Sequence, residues 1–185
     1  MIELLNQTIA ALHGDMVSWR RHLHRHPELS FQEQKTVAYV IERLKAEGIE
    51  VRDGVGKLTP SSPGTGAIAL VKGTKPGPSK CIALRADLDA LPITEVGKDA
   101  YCSLNPGVMH ACGHDAHTSM VLGAGIALHR LRSEWSGTVM LVFQPGVEKE
   151  PGGASLLVKE DVLNSPKPSG VRAVSGYSAM PCSMR

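Results

Sequence analysis

The sequence predicts a layered α/β fold, a sheet with helices on both faces. Two observations predict it. Segments with apolar residues at helical spacing alternate with short, β-branched apolar runs. Residues 87–113 carry neither period, and so long an unpatterned stretch inside a folded chain is usually a functional loop.

The elements follow in order. Residues 1–24 place Ile2, Leu5, Ile9, Leu12, Met16, Trp19 and Leu23 on one helical face, and Pro27 stops the pattern. Ser30, with Glu33 three residues on, has the form of a capping box, so a second helix is predicted from Ser30 to about Glu47, ending at Gly48. Residues 49–55, 66–72 and 80–86 read as strands, the last two separated by the Gly- and Pro-rich turn 73–79. Residues 115–132 form a mostly buried helix. Residues 138–143 (TVMLVF) have the composition of an interior parallel strand. A short helix at 153–163 and a strand at 171–175 close the pattern. With no internal repeat, the 185 residues form one domain.

Bulk composition excludes several functions. Lys+Arg 20 against Asp+Glu 18 gives a net charge of +2, too balanced to direct the chain to nucleic acid or an anionic membrane. No run approaches the ~18 apolar residues of a membrane helix, and no secretory leader is visible. Cys81, Cys102, Cys112 and Cys182 make no disulfide framework. Reduced thiols and a cytoplasmic setting are expected.

Three segments fall where ligands gather, beyond the carboxyl ends of strands: 85–92 (RADLDALP), 110–117 (HACGHDAH) and 143–148 (FQPGVE). Asp87 alone could be a helix cap or turn former. Cys112 and His114, flanked by His110 and His117, permit three readings: a site for zinc or a similar ion, a Cys nucleophile with a His base, or a structural cluster. Glu148, at a strand end, adds a third plausible metal ligand. Elsewhere the bland reading is preferred. The run 20–26 (RRHLHRH) is expected to be a solvated helix face and His129 structural. Gly152-Gly153 is expected to be a packing turn, and Cys81 and Cys102 inert thiols.

The segments HRHPELSFQE (24–33), ALRADLDALPITE (83–95), MHACGHDAHTSM (109–120) and FQPGVEKEPGGA (143–154) together resemble the amidohydrolase branch of the zinc aminoacylase/carboxypeptidase peptidases. This group includes hippurate hydrolase, indole-acetyl-amino-acid hydrolase and N-acyl-amino-acid amidohydrolases. The resemblance runs from residue 1 to about 171. It implies a phosphorylase/hydrolase-like catalytic domain interrupted by a lid or dimerisation domain, which this chain would lack. It also implies one or two divalent ions (zinc, manganese, cobalt or nickel) and hydrolysis of small N-acyl amino acids by a metal-activated water. Family members are often homo-oligomers.

Residue by residue, Cys112, His114 and Glu148 match metal ligands. Asp87 matches the Asp that orients a ligand or supports the site. His110, Asp115 and His117 match supporting positions. The chain departs from the pattern twice. Val147 stands where the family has its general-base Glu, a loss typically costing about 10²–10⁴-fold in rate. In 176–181 (GYSAMP), Ser178 stands where a ligand His is expected. Two expectations follow: an amidohydrolase impaired at these positions, with Glu148 the remaining candidate base, or an inactive remnant that binds metal weakly.

Overall fold

The computed structural model describes residues 2–173. In chain order it contains helices α1 (Ile2–Arg25) and α2 (Gln34–Ala46), then strands β1 (Val51–Val55), β2 (Gly66–Lys72) and β3 (Cys81–Asp87). Helix α3 (His114–Arg130), strand β4 (Thr138–Gln144), helix α4 (Gly153–Lys159) and strand β5 (Val171–Ala173) follow.

The five strands form one mixed sheet in the order β1-β2-β4-β3-β5. β4 is interior, as its apolar run predicts, but parallel on one side only: it pairs parallel with β3 and antiparallel with β2. Connection length explains this. The short 73–80 turn can only reverse the chain, whereas a parallel return needs a crossover, and α3 supplies one between β3 and β4.

Successive strand residues face opposite sides of the sheet. Ala67, Ala69, Val71, Leu141 and Phe143 pack under α1, α2 and α3, against Leu12, Trp19, Val40, Leu44, Leu122 and Ile126. Ile68, Ala83, Met140 and Val142 face the other way, onto Leu157 and Val162 in and after α4. Helices therefore cover both faces, as expected. Among the described residues, one face carries three long helices and the other a single short one. The apolar stripe of α1 is buried only in part: Leu12, Trp19 and Leu23 are buried, while Ile2 and Ile9 are exposed.

The expected capping box is absent. α2 starts at Gln34, and neither Ser30 nor Glu33 caps it with a side chain. Glu28 does that work, its carboxylate accepting hydrogen bonds from the backbone N–H groups of Lys35 (3.2 Å) and Thr36 (2.7 Å). Ser30 and Glu33 are directed inward instead, toward partners distant in sequence.

The predicted solvated face at 20–26 also needs correction. His24 is buried, and its Nδ1 lies 2.7 Å from Asp115 Oδ2 on α3. Arg20 Nε lies 2.8 Å from the same oxygen, and His24 Nε2 lies 3.1 Å from Glu95. Helical periodicity identifies which α1 residues share a face, but not that α3 presents a buried carboxylate to that face. Among the described residues no helix is long and apolar enough to cross a membrane, and Cys81, Cys102 and Cys112 are free.

Candidate metal centre

β3 and β4 run parallel in register, so Asp87 lies opposite Gln144 and both strands end at one level. The turn after β4 carries Glu148 past that level. Helix α3 begins there too, at His114, after Gly113 adopts φ +82°, a conformation glycine takes without a Cβ penalty. Three chain segments thus meet beyond the carboxyl end of the sheet.

Among the described residues two groups of potential ligand atoms result, each with its atoms within 4.8 Å of one another. Cys112, His114 and Glu148 form one, and Asp87, His114 and His117 the other. His114 belongs to both. Its Nδ1 lies 2.8 Å from the backbone carbonyl oxygen of Asp89. A donor at Nδ1 leaves the lone pair on Nε2, which faces Glu148 Oε1 at 3.5 Å and Asp87 Oδ2 at 3.7 Å. An imidazole oriented through its other nitrogen is the usual state of a metal-ligating histidine. His117 Nδ1 is held in turn by Asp87 Oδ1 at 2.7 Å.

The electrostatics suit a cation. Cys112 and Glu148 are the exposed members of their group, and the Cys112 thiol is held above its usual range by partial burial and by nearby Glu148, Asp87 and Asp89. An activated nucleophilic cysteine needs the opposite surroundings, so the Cys–His nucleophile is the poorer reading. A divalent ion among these carboxylates would offset their repulsion and favour the thiolate. Burial disfavours protonation of His114, but its contacts with Asp89 and Asp87 outweigh burial and raise its pKa.

The remaining expected residues lie close by. His110 is buried, with no hydrogen-bond partner at either ring nitrogen among the described residues, and burial pulls its pKa down to about 4. Asp115 is buried beneath the site and bound to Arg20 and His24, not to the ligand groups. Val147 follows Gly146 and directly precedes Glu148. Ser178 lies outside the described residues.

Asp89 was not singled out from the sequence. It is buried, and its Oδ2 accepts hydrogen bonds from Ser30 Oγ (2.6 Å) and the Glu148 backbone N–H (2.9 Å). Its Oδ1 lies 3.3 Å from His114 Nδ1, an ionic contact beside the hydrogen bond that this nitrogen makes to the carbonyl. Burial penalises the Asp89 charge, but His114, Ser30 and the N–H groups of Glu148 and Val147 outweigh it and lower its pKa to about 2. The available signal was its place in a quoted motif, two residues beyond Asp87.

Known proteins share this sequence and this fold. The sequence pattern of peptidase family M20/M25/M40 matches residues 83–180. An N-acyl-L-amino acid amidohydrolase of Geobacillus stearothermophilus is 42% identical over 163 residues, covering 88% of this chain and 41% of that enzyme. An N-acetylcysteine deacetylase of Bacillus subtilis is 43% identical over 171 residues, covering 92% of this chain and 41% of that enzyme. Among solved structures, a Bacillus subtilis dinuclear metal-binding peptidase of the M20 family superposes with TM-score 0.77 at 40% identity, over 89% of this chain and 43% of the other. The chain spans about 41% of the length of the curated relatives it matches.

Proposed function

The chain belongs to peptidase family M20/M25/M40, and from that premise we propose that it carries the metal-holding half of an amidohydrolase site for small N-acyl amino acids. The observation that carries the reading is the convergence of Cys112, His114 and Glu148 beyond the ends of β3 and β4, with His114 oriented through its other nitrogen. The names of the amidohydrolase and deacetylase relatives support the substrate class.

Cys112, His114 and Glu148 would hold one divalent ion. Asp87 and His117, beside His114, offer further donor atoms for a second ion. Zinc, manganese, cobalt and nickel all suit this mixed S, N and O donor set. When bound, such an ion polarises the amide carbonyl and lowers the pKa of water. The chain's own residues supply the rest. Asp89 and Asp87 orient His114 and His117. Val147 can take no proton, so Glu148 is the one acceptor in the 147–148 pair, and a carboxylate committed to a metal is a poor base. The proposed activity is therefore impaired, by about 10²–10⁴-fold relative to a site with a Glu at 147. Free thiols favour a cytoplasmic setting.

Val147 favours a second reading, a metal-binding remnant without turnover. The test is hydrolysis of N-acetyl-methionine, hippurate and an indole-acetyl amino acid with added Mn²⁺, Zn²⁺ or Co²⁺, comparing the chain with Val147→Glu. Slow, chelator-sensitive release of amino acid that rises in Val147→Glu supports the impaired enzyme. Inertness of both proteins, with metal still bound, supports the remnant. Absence of metal binding overturns both.

A further inference from the structure

The segment between α1 and α2 belongs to a sequence motif (24–33) that the metal site leaves unexplained, yet it is built into that site at four points. Ala90 N–H donates to the Glu28 carbonyl at 2.8 Å, and Leu29 forms a parallel bridge with Ala90, which lays the segment along the chain that follows β3. Ser30 Oγ donates to Asp89 Oδ2, the oxygen that also accepts the Glu148 N–H. Glu33 is wholly buried and clasps two strand-end loops: Oε2 accepts from Thr65 Oγ1 at 2.6 Å and Oε1 from the Gly146 N–H at 2.7 Å. Phe31 covers Gly146 so closely that a Cβ there would collide with its ring.

Two left-handed residues sit at this junction, of which only the non-glycine is strained. Gly146 has φ +57°, and Phe31, a bulky residue, has φ +64°. A left-handed phenylalanine is costly and persists only where its surroundings fix it. A surface connector between two helices has no need of a buried carboxylate, a strained aromatic residue and hydrogen bonds reaching 59 and 113 residues along the chain.

We propose that this segment is a strap whose residues Ser30, Phe31 and Glu33 are positioning residues for the Gly146–Glu148 turn. Ser30 acts through Asp89 on the Glu148 backbone, and Glu33 with Phe31 fixes Gly146, so the Glu148 carboxylate is delivered opposite Cys112 and His114. The proposal rests on the reading of Glu148 as a metal ligand.

Co²⁺ titration of the 185-residue chain tests it, followed by the thiolate-to-cobalt absorption that Cys112 would give, with far-UV circular dichroism to verify folding. Glu148→Gln, Glu33→Ala, their double variant and Ser30→Ala are compared. Loss of a residue supporting a metal ligand typically weakens binding about 10–100-fold, and that loss is expected for Glu33→Ala, with a smaller loss for Ser30→Ala. Glu33→Gln keeps an acceptor for the Gly146 N–H and should recover most of the affinity. In the double variant the Glu33 change should add little beyond Glu148→Gln, because both act through one ligand.

Co²⁺ affinity unchanged in Glu33→Ala and Ser30→Ala, or losses that add fully to Glu148→Gln, would overturn the strap while leaving the metal site standing. Should Glu148→Gln itself bind Co²⁺ normally, the ligand reading fails and the strap fails with it. Where Glu33→Ala does not fold, Ser30→Ala and its double variant with Glu148→Gln decide by the same criteria.

Discussion

Replacement of Asp89 by Asn should destabilise the metal-free chain by about 2 kcal/mol at neutral pH. The carboxyl is pulled from 3.8 down to about 2 in the folded protein. Each pH unit of such a difference corresponds to about 1.4 kcal/mol favouring the folded, ionised form. Asn has the same shape and keeps one acceptor, but it loses the charge beside His114 and presents an amide N–H₂ toward groups that donate. A group with a depressed folded pKa contributes stability that is fully present above its unfolded pKa, near 3.8, and lost as pH falls toward 2. The gap between wild type and Asp89→Asn should therefore hold from pH 7 to about 5 and shrink to about half by pH 3. Urea unfolding in the presence of chelator, at several pH values, measures the gap directly. Equal stability at pH 7, or a gap that stays constant down to pH 3, would refute the claim that ionised Asp89 fastens the Glu148 turn to the start of α3.

Other perturbations follow from the same geometry. His110 has a folded pKa of about 4, so the unfolded chain takes up its proton first as pH falls; about 3 kcal/mol should be lost from pH 6.5 to 4, and His110→Leu should flatten that part of the urea-midpoint curve. Burial opposes protonation of His24, but its hydrogen bonds to Asp115 and Glu95 outweigh this and raise its pKa, so its contribution is lost in the other direction, as pH rises. His24→Ala breaks a buried pair and should cost about 3 kcal/mol by urea unfolding, the low end for such a loss, since Arg20 still faces Asp115. Phe143, fully buried in the central strand, should cost about 3–5 kcal/mol when changed to Ala, as a fall in urea midpoint at unchanged slope.

The sequence by itself determined the elements, because helix and strand periods are local. β2 occupies the very residues 66–72 expected of it, and α3 and β4 lie within two residues of their predicted bounds. It also placed Cys112, His114 and Glu148 at the ends of elements, since a ligand cluster in one loop and a carboxylate after a strand are visible in one dimension. Only the tertiary structure decided what Ser30 and Glu33 do. Their three-residue spacing is that of a helix cap, yet the partners that use their oxygens are Asp89, Thr65 and Gly146. The same holds for His24, whose polar run looks solvated until α3 brings Asp115 against it. It holds for the neighbour of β2, which is β4 and not the next strand in the chain, β3. A side chain that can satisfy a nearby backbone group or a distant buried one looks identical in sequence. Burial decides between them, because a carboxylate or imidazole removed from water must take whichever partner the packed fold presents.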